Sequence, residues 1–374
     1  MIVADESDTL QKCLESAAPF VDAIYLTSTQ ASSAIRRIAE RFHAQLRSFA
    51  WVNDFSAARS FSISDVTEEW ILCLDAGDVF PPGEAAKIRA HLGRHATAYT
   101  LHYQTGAELT PAAGLKIFRN HRGIRYEGII HEHLRHSLSR LPGTPVGHLP
   151  IHLVHTGCAE ELQAQNDLRN LPLLRRELQR CLRVGDAHQL LHVGNSLATS
   201  LQRTGQPRRA EALLRWLIQR LHKFESVFSS DWEIAILSNY LALLQAEDRF
   251  LEALELCREC ASLFHHHPLF HLYRGIAHFK LSEHREALDD LDRFEKTWHA
   301  QGLRLSIPRT YTAEGLWEMQ GHCHLALGDY APAMICFKKC AAADRGNAAY
   351  PVKLRLAHIL SLSAATPGPA LAVR

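Results

Sequence analysis

The C-terminal half of the sequence carries a regular spacing of small residues that few folds require. Gly321 and Ala333 lie twelve positions apart, with the pair Gly328-Asp329 between them and Phe337 four positions later. Two antiparallel helices that cross closely need a small residue on each helix at the crossing. A glycine also permits the tight turn that joins the two helices. The spacing therefore predicts a pair of antiparallel helices, with Phe337 filling the space beside the crossing.

The same pattern recurs towards the N-terminus and indicates tetratricopeptide repeats. The step from Ala253 to Ala287 equals the period of about 34 residues that is typical of these repeats, and the flanking steps are longer. The longer steps predict extended helices or an inserted loop, notably at Thr297–Thr310. We predict four repeats and a closing helix near Tyr350–Leu360. The earlier units have Gly275 with Ala287, then a weaker match at Leu241 with Ala253, and a turn at Gly205 followed by Ala210.

A stack of such helix pairs forms a concave surface that can bind an extended segment of a partner protein. A structural spacer or a dimerisation element is the alternative, and the sequence leaves both open. A homodimer is neither supported nor excluded. Cys257 and Cys260 have no second pair of ligands at zinc spacing, so we predict two buried thiols that pack between helices.

Composition narrows the class of protein. The 374 residues carry a formal net charge of +1, which argues against a nucleic-acid partner bound by phosphate neutralisation. Nine cysteines form no compact framework, as expected of free thiols in a reducing compartment. No basic, apolar leader begins the sequence, and no window holds 18 apolar residues, so we predict no transmembrane segment and a cytoplasmic location.

The N-terminal 150 residues show a different rhythm, in which short apolar runs alternate with helical stretches. Such alternation predicts βαβ units and an open parallel sheet, whose ligands bind beyond the carboxyl ends of the strands. The predicted strands are Met1–Val3, Ala23–Leu26, Gln45–Phe49 and Glu69–Leu74, and the predicted helices are Asp8–Ala18, Ser32–Phe42 and Ser56–Asp65.

The last of these strands ends directly in Asp75-Ala76-Gly77-Asp78. Two carboxylates in a four-residue turn at the carboxyl end of a strand suit a divalent cation with a diphosphate. A turn capped by aspartates is the alternative for this segment alone.

Six segments follow one another in the N-terminal part of the sequence: Met1-Ile-Val-Ala-Asp-Glu-Ser, Trp51-Val-Asn-Asp-Phe-Ser-Ala-Ala-Arg59, Trp70-Ile-Leu-Cys-Leu-Asp-Ala-Gly-Asp78, Ile117-Phe-Arg-Asn120, Tyr126-Glu-Gly-Ile-Ile-His131-Glu132 and His155-Thr-Gly157. In this order they resemble the family 2 inverting glycosyltransferases of GT-A fold. The resemblance is greatest to a bacterial branch that carries tetratricopeptide repeats after the catalytic domain. That branch includes enzymes similar to lipopolysaccharide-core glucosyltransferases and to peptide S-glycosyltransferases.

The resemblance implies an α/β plus all-α organisation. We expect a GT-A-like, Rossmann-like domain over 1–160, a helical linker over 161–185, a tetratricopeptide repeat domain over 186–363 and a flexible tail over 364–374. It also implies a nucleotide-sugar donor, a UDP-sugar above all. The expected acceptor is a peptide, a protein or a saccharide that the repeats position.

The resemblance assigns donor-binding roles residue by residue. Asp5 and Glu6 follow the first strand, where the family holds the base and ribose. Asp75, Asp78 and His155 match the positions that bind Mg²⁺ or Mn²⁺ with the donor diphosphate, and such a metal neutralises the leaving group.

Two further roles concern charge and proton transfer. Glu132 is the expected general base, which takes the acceptor's proton as it attacks the sugar. Arg59 and Arg119 are expected to contact phosphates, with surface or helix-capping arginines as the alternative.

The sequence departs from the family pattern at three nucleotide-binding elements. Ser28–Ser33 replaces an Asp-Thr-Gly-Ser-x-Asp stretch, Gly77 replaces the second acid of Asp-x-Asp, and Ala4-Asp5 replaces Lys-Asn. The family also has several residues before the segment matched by Met1. Three hypotheses follow: an active glycosyltransferase, a catalytically degenerate protein that serves as a peptide- or protein-binding scaffold, and a repeat adaptor whose N-terminal half caps the stack.

Overall fold

The computed structural model describes residues 1–4, 7–30, 32–93, 96–105, 108–110, 114–120, 123–141, 146–156, 160–223, 230–301 and 312–365. The described chain forms two compact units. Unit 1 comprises Met1–Ala210, and unit 2 comprises the described residues from Glu211 onward.

Unit 1 begins with a three-stranded parallel sheet. Its strands are β1 (Ile2–Val3), β2 (Tyr25–Ser28) and β3 (Gln45–Ser48), in that spatial order. Helices α1 (Ser7–Ala17) and α2 (Ser33–Arg41) make the two crossovers, and α3 (Phe55–Ser62) follows β3. Apolar side chains of α1, α2 and β2 form a buried core beside the sheet, which includes Leu10, Leu14, Leu26, Ile35 and Ile38. The predicted βαβ pattern is confirmed for these three strands.

A second, mixed sheet follows. Its strands are β4 (Trp70–Leu72), β5 (Asp78–Val79), β6 (Ala98–Thr105), β7 (Glu108–Thr110), β8 (Leu115–Arg119) and β9 (Val146–His155), with short helices α4 (Ile88–His91) and α5 (Arg135–Ser139). The spatial order is β4-β8-β6-β9-β5, and β7 pairs with β6. The prediction that the Glu69–Leu74 strand continues the parallel sheet is wrong. That strand pairs antiparallel with β8, where Ile71 lies opposite Phe118 and both side chains are buried.

Two helices complete unit 1. Helix α6 (Glu160–Val184) occupies the segment predicted as a helical linker, and α7 (Ala187–Arg203) packs against it. Asp186 begins α7, because its carboxylate accepts a hydrogen bond from the backbone N–H of Gln189 at 3.1 Å. In the interior, Ser200 donates to Asp167 at 2.7 Å. The compact unit therefore extends to Ala210, well beyond residue 160.

Unit 2 is a stack of helix pairs. It begins with helix α8 (Pro207–Leu221), most of which lies in this unit, and ends with α15 (Ala349–Ala365). The pairs between them are α9 (Ser230–Ala246) with α10 (Phe250–Phe264), α11 (Pro268–Lys280) with α12 (His284–Gln301), and α13 (Ala313–Leu327) with α14 (Tyr330–Ala343). Ala253, Ala287 and Ala333 are completely buried at the crossings. The prediction of tetratricopeptide-like helix pairs is confirmed.

The remaining details of the repeat prediction have mixed outcomes. The closing helix is present and is longer than predicted. Helix α12 continues to Gln301, so the first part of the predicted insertion Thr297–Thr310 is helical, and the rest lies outside the described residues. The tail beyond 365 also lies outside them. Cys257 and Cys260 are buried, and burial raises the pKa of each thiol to about 12. Among the described helices, none combines the length and apolar character needed to cross a bilayer.

Candidate functional site

The pairing of β5 with β9 brings together acidic and basic groups that are distant in the sequence. Asp75 follows β4, and a tight turn returns the chain so that the N–H of Asp78 donates to the carbonyl of Asp75 at 2.9 Å. Asp78 then lies opposite His155 in the strand register. The Nδ1 atom of His155 is consequently 2.9 Å from Oδ1 of Asp78.

Asp78 is completely buried, and both of its carboxylate oxygens are hydrogen-bonded. Oδ1 also accepts from the Tyr103 hydroxyl at 3.0 Å, and Oδ2 accepts from Lys116 Nζ at 2.8 Å and from the backbone N–H of Asp75 at 2.9 Å. Burial alone would raise the pKa of Asp78, but the hydrogen bond with His155 and the Lys116 charge outweigh it and lower that pKa. Asp78 is therefore a buried carboxylate held in its charged form.

Asp75 is more accessible, with 35% of its side chain exposed. It accepts from Arg59 Nη2 at 2.5 Å and from Lys116 Nζ at 2.9 Å. Burial opposes ionisation, yet the Arg59 and Lys116 charges lower the pKa of Asp75 far below its ordinary value. The two carboxylates in turn raise the pKa of Lys116 against the effect of burial. Lys116 therefore stays charged between the two aspartates.

Arg59, on α3, links this pair to Glu132. Its Nε atom pairs with Oε1 of Glu132, while its Nη1 donates to the sulfur of Cys73 at 3.3 Å. The guanidinium also lies 5.6 Å from the ring centre of Tyr126. Burial disfavours the charge, but Asp75 and then Cys73 and Glu132 raise the pKa of Arg59 well above its usual value. Arg59 thus orients two of the predicted functional carboxylates.

The structure brings the predicted metal ligands Asp75, Asp78 and His155 together, but with a protein cation between the carboxylates. Lys116 occupies the space between the two aspartates, and all oxygens of Asp78 have partners. In this arrangement the three residues do not offer a divalent cation a set of free ligand atoms. The divalent metal stays a prediction, and its binding would require Lys116 to move.

Two cavities of unit 1 meet at the charged residues. One, of about 520 Å³, lies beyond the carboxyl ends of β1 and β2 and is lined by Ala4, Thr29, Gln30, Trp51 and Phe55. The other, of about 650 Å³, is lined by Tyr126, His133, Leu138 and Ser139. Arg59, Asp75 and Glu132 line both cavities. We call these the strand-end cavity and the loop cavity.

The segment Tyr126–Leu134, here called the Glu132 loop, is fixed from two sides. Its ends are joined by backbone hydrogen bonds between Glu127 and His133, at 3.0 and 2.9 Å. Gly128 has a φ of +103°, a region that favours glycine. From the helical side, Glu177 of α6 accepts from the Ile129 N–H at 2.9 Å.

Helix α7 holds the same loop, since Gln189 Nε2 donates to the carbonyl of His131 at 3.0 Å. The position of Glu132 thus depends on helices that the sequence prediction assigned to the linker and the repeats.

Other predicted site residues lie elsewhere. Arg119 donates to the carbonyls of Ala96 at 3.1 Å and Gly93 at 3.0 Å, pairs with Glu69 and stacks on the Trp70 ring at 4.3 Å. The structure does not bring it to the Asp75 cluster. Asp5 and Glu6 lie outside the described residues.

The sequence prediction missed Lys116 and Tyr103. A signal for Lys116 was present, because it is the charged residue at the start of the apolar run Leu115-Lys116-Ile117-Phe118. Tyr103 carries no comparable signal, because an alternating strand gives no indication of which hydroxyl will meet an acid.

No family model matches the chain. A TPR repeat-containing protein of Synechococcus elongatus is 35% identical over 144 residues, which cover 38% of this chain and 36% of that protein. The SPbeta prophage-derived glycosyltransferase SunS of Bacillus subtilis is 27% identical over 140 residues, which cover 35% of this chain and 33% of the enzyme. The matched segment thus spans about a third of the length of these relatives.

Among solved structures, a tetratricopeptide repeat protein from Parabacteroides merdae aligns with a TM-score of 0.37 and 14% identity, covering 53% of this chain and 71% of that one. A thermophilic TPR protein of Thermus thermophilus aligns with a TM-score of 0.33 and 15% identity, covering 53% and 94%. In sequence, part of the chain is similar to a TPR repeat-containing protein and, more weakly, to a glycosyltransferase.

Proposed function

We propose that unit 1 is a glycosyltransferase of GT-A type that transfers a sugar from a nucleotide-sugar donor to a peptide, protein or saccharide acceptor. The observation that carries this proposal is the meeting of two cavities at Arg59, Asp75 and Glu132. A displacement at the sugar carbon needs the donor and the acceptor on opposite sides of the reacting atom, with a carboxylate within reach. The partial similarity to SunS supports the same class of reaction.

The strand-end cavity suits the nucleotide part of the donor. It lies where ligands bind in parallel sheets, and its volume of about 520 Å³ is within the range of small-molecule sites. The rings of Trp51 and Phe55, whose centres are 4.8 Å apart, provide an apolar wall for a base. Asp5 and Glu6 follow Ala4 of this cavity in the sequence, and their contacts to base and ribose remain a prediction.

The charges around Asp75 suit the diphosphate. Arg59 and Lys116 carry two positive charges beside Asp75, and both contact it. Arg59 lines both cavities, whereas Lys116 lines the loop cavity. By pairing with both cations, Asp75 would hold Arg59 in position for a diphosphate that enters the strand-end cavity. Such contacts stabilise negative charge on the leaving group without a change in protonation.

The loop cavity suits the acceptor, with Glu132 as general base. Glu132 Oε1 is paired with Arg59, and Oε2 forms no hydrogen bond among the described residues. In the proposed step, an acceptor hydroxyl or thiol gives its proton to Glu132 as it bonds to the sugar carbon. The bond from that carbon to the diphosphate breaks, and the diphosphate leaves with the electron pair. Arg59 orients Glu132 for this transfer.

A screen of nucleotide sugars tests the proposal, with donor hydrolysis and donor binding measured with Mn²⁺ and with a chelator. Glu132→Gln should lower turnover by about 10²- to 10⁴-fold and leave the donor Kd within about twofold. Asp75→Ala should weaken donor binding, because Arg59 and Lys116 lose their partner and their positions.

The matched control is Glu15→Gln, which removes an exposed carboxylate whose Arg41 partner is 3.5 Å away. It should leave turnover and donor binding unchanged. Absence of donor binding and hydrolysis in the unmodified protein, with or without Mn²⁺, would contradict the proposal.

Unit 2 supports a second candidate function, that of a protein-binding scaffold. A cavity of about 700 Å³ is lined mainly by α9, α11 and α13, the first helices of successive pairs, with Lys280, Glu318 and His322 among its residues. Phe250, at the start of α10, also lines it. A mixture of aromatic and charged side chains along such a surface suits an extended peptide. This function needs no turnover in unit 1.

Binding of the full chain to a peptide library, followed by fluorescence anisotropy, tests the scaffold. Lys280→Glu should weaken binding of any acidic peptide that is found. Lys338→Glu, an exposed residue of α14 outside the cavity lining, is the control. Equal binding by both variants would argue against this surface.

A further inference from the structure

Three side chains, from the Glu132 loop, from α5 and from the residue that caps α7, lie close together and take no part in the proton transfer proposed above. One nitrogen each of His133 and His136 and one carboxylate oxygen of Asp186 all lie within 4.8 Å of one another. The Nε2 atom of His136 is 3.3 Å from Oδ2 of Asp186. Ligand atoms bound to one zinc ion at about 2.0–2.2 Å are separated by distances of this order.

We propose that His133, His136 and Asp186 bind a divalent transition-metal ion, with Zn²⁺ as the best match. Two imidazoles and one carboxylate are common zinc ligands, whereas Mg²⁺ and Ca²⁺ prefer oxygen ligands alone. Three protein ligands leave a fourth position for water. The site lies entirely in unit 1 and is separate from Asp75 and Asp78.

Glu127 supports this site from behind. Its Oε2 is 2.9 Å from the Nδ1 of His136, on the side of the ring away from Asp186. A carboxylate at one ring nitrogen fixes the tautomer that presents the other nitrogen to a metal, an arrangement found around many zinc sites. Backbone hydrogen bonds join Glu127 to His133. They keep the carboxylate that supports His136 next to the ligand His133.

His133 supplies an independent observation. Both of its ring nitrogens are buried and form no hydrogen bond with any of the described residues. Buried polar atoms of native proteins nearly always have a partner, so an imidazole without one requires an explanation. A metal ion between His133, His136 and Asp186 would provide the missing partner.

Arg135 competes for the site. Its Nη2 donates to both oxygens of Asp186, at 3.2 and 3.0 Å, and the guanidinium is partly exposed. Metal binding would release this ion pair. Because Asp186 caps α7 and His133 belongs to the Glu132 loop, the ion would fasten that loop to the helix.

Titration of the metal-stripped full chain with Co²⁺, followed by visible absorption, tests the proposal without reference to transferase activity. We expect one equivalent of Co²⁺ to give ligand-field bands and Zn²⁺ to displace it. His136→Gln and Asp186→Asn should each weaken Co²⁺ binding at least about tenfold, the effect of disturbing even an outer partner of a metal. Asparagine still caps α7, so this variant should fold, and circular dichroism checks that it does.

Two further variants sharpen the result. His148→Ala removes a histidine from another group of unit 1, in which the Nε2 atoms of His148 and His102 are 3.1 Å apart, and it should leave binding within twofold. Arg135→Gln should tighten binding about two- to fivefold, because an exposed competing ion pair is lost. No cobalt spectrum at one equivalent, or loss of the spectrum in His148→Ala but not in His136→Gln, would overturn the proposal.

Discussion

Lys116 allows the carboxylates of Asp75 and Asp78 to lie close together in their charged forms. Its ammonium contacts Asp75 at 2.9 Å and the fully buried Asp78 at 2.8 Å. Two carboxylates this close would repel one another, and the buried one would be driven to bind a proton. With the lysine between them, both stay ionised, and ion pairs and hydrogen bonds connect the two aspartates of the turn.

We predict that Lys116→Met lowers the free energy of unfolding by about 3 kcal/mol at pH 7, because a buried carboxylate loses its cationic partner. The same change should flatten the acid dependence of stability. The pKa values of Asp75 and Asp78 are lowered in the folded protein, so their stabilisation is complete well above the unfolded value of about 3.9 and is lost as the pH falls through the folded values. Urea unfolding followed by circular dichroism at pH 7 and at successive steps below pH 5 measures both effects.

Lys87→Met is the matched control, because Lys87 is half exposed and pairs with Glu84 one helical turn away. Such a pair contributes about 0.5 kcal/mol or less. Equal losses in the two variants, or an unchanged acid dependence in Lys116→Met, would show that the buried lysine does not hold the two aspartates.

Two helix pairs of unit 2, α11 with α12 and α13 with α14, depend on a close approach at a glycine. A Cβ atom added to Gly321 would lie 2.7 Å from the ring of Phe337, and one added to Gly275 would lie 3.0 Å from Leu291. Phe337 and Leu291 are completely buried, so neither can move aside into solvent. The glycine therefore sets the distance between the two helices of a pair.

Gly321→Ala should destabilise unit 2 by about 1–3 kcal/mol, the usual cost of overpacking a core. Gly315→Ala, in the first turn of the same helix, meets only ordinary contact at 3.6 Å from Thr312. It should stabilise the helix by about 0.5–1 kcal/mol, because alanine is the better helix former. Thermal unfolding of both variants measures the difference, and a stabilising effect at both positions would refute the close-approach argument.

The helix pairs could be predicted from the sequence because their contacts are local. Gly321, Ala333 and Phe337 lie on neighbouring helices, and the spacing along the chain reports the spacing in space. The acidic cluster could be predicted only in part, because the partner of β4 is set by a strand some fifty residues away. Lys116 enters the cluster through that pairing, which no local pattern specifies.

The molecule has two units, each with cavities of its own. The strand-end and loop cavities belong to unit 1, and the cavity lined by α9, α11 and α13 belongs to unit 2. Ligand binding in one unit should therefore be visible separately from the other. Donor binding in unit 1 and peptide binding in unit 2 can therefore be measured independently.

We predict that a bound nucleotide sugar protects the backbone amides around Trp51–Phe55 and Asp75–Asp78 from hydrogen exchange and leaves those of α13 and α14 unchanged. At a donor concentration 100 times the Kd, binding stabilises the folded form by about 2.7 kcal/mol, which is ample for detection. Hydrogen exchange with mass spectrometry provides the measurement, with the nucleoside alone as the control ligand. Protection confined to unit 2 would place the donor outside the strand-end cavity.

The strand pairing that joins Asp78 to His155 limits how early during synthesis and folding the charged cluster can form. The two residues are separated by 77 positions, and Arg59 and Glu132 by 73. Closing such long loops is slow, whereas helices that are neighbours in sequence find each other quickly. On the ribosome, the charged cluster cannot assemble until β9 has emerged, and the Glu132 loop waits longer still for α6 and α7. We therefore expect the charged cluster and the Glu132 loop to be the last parts of unit 1 to form.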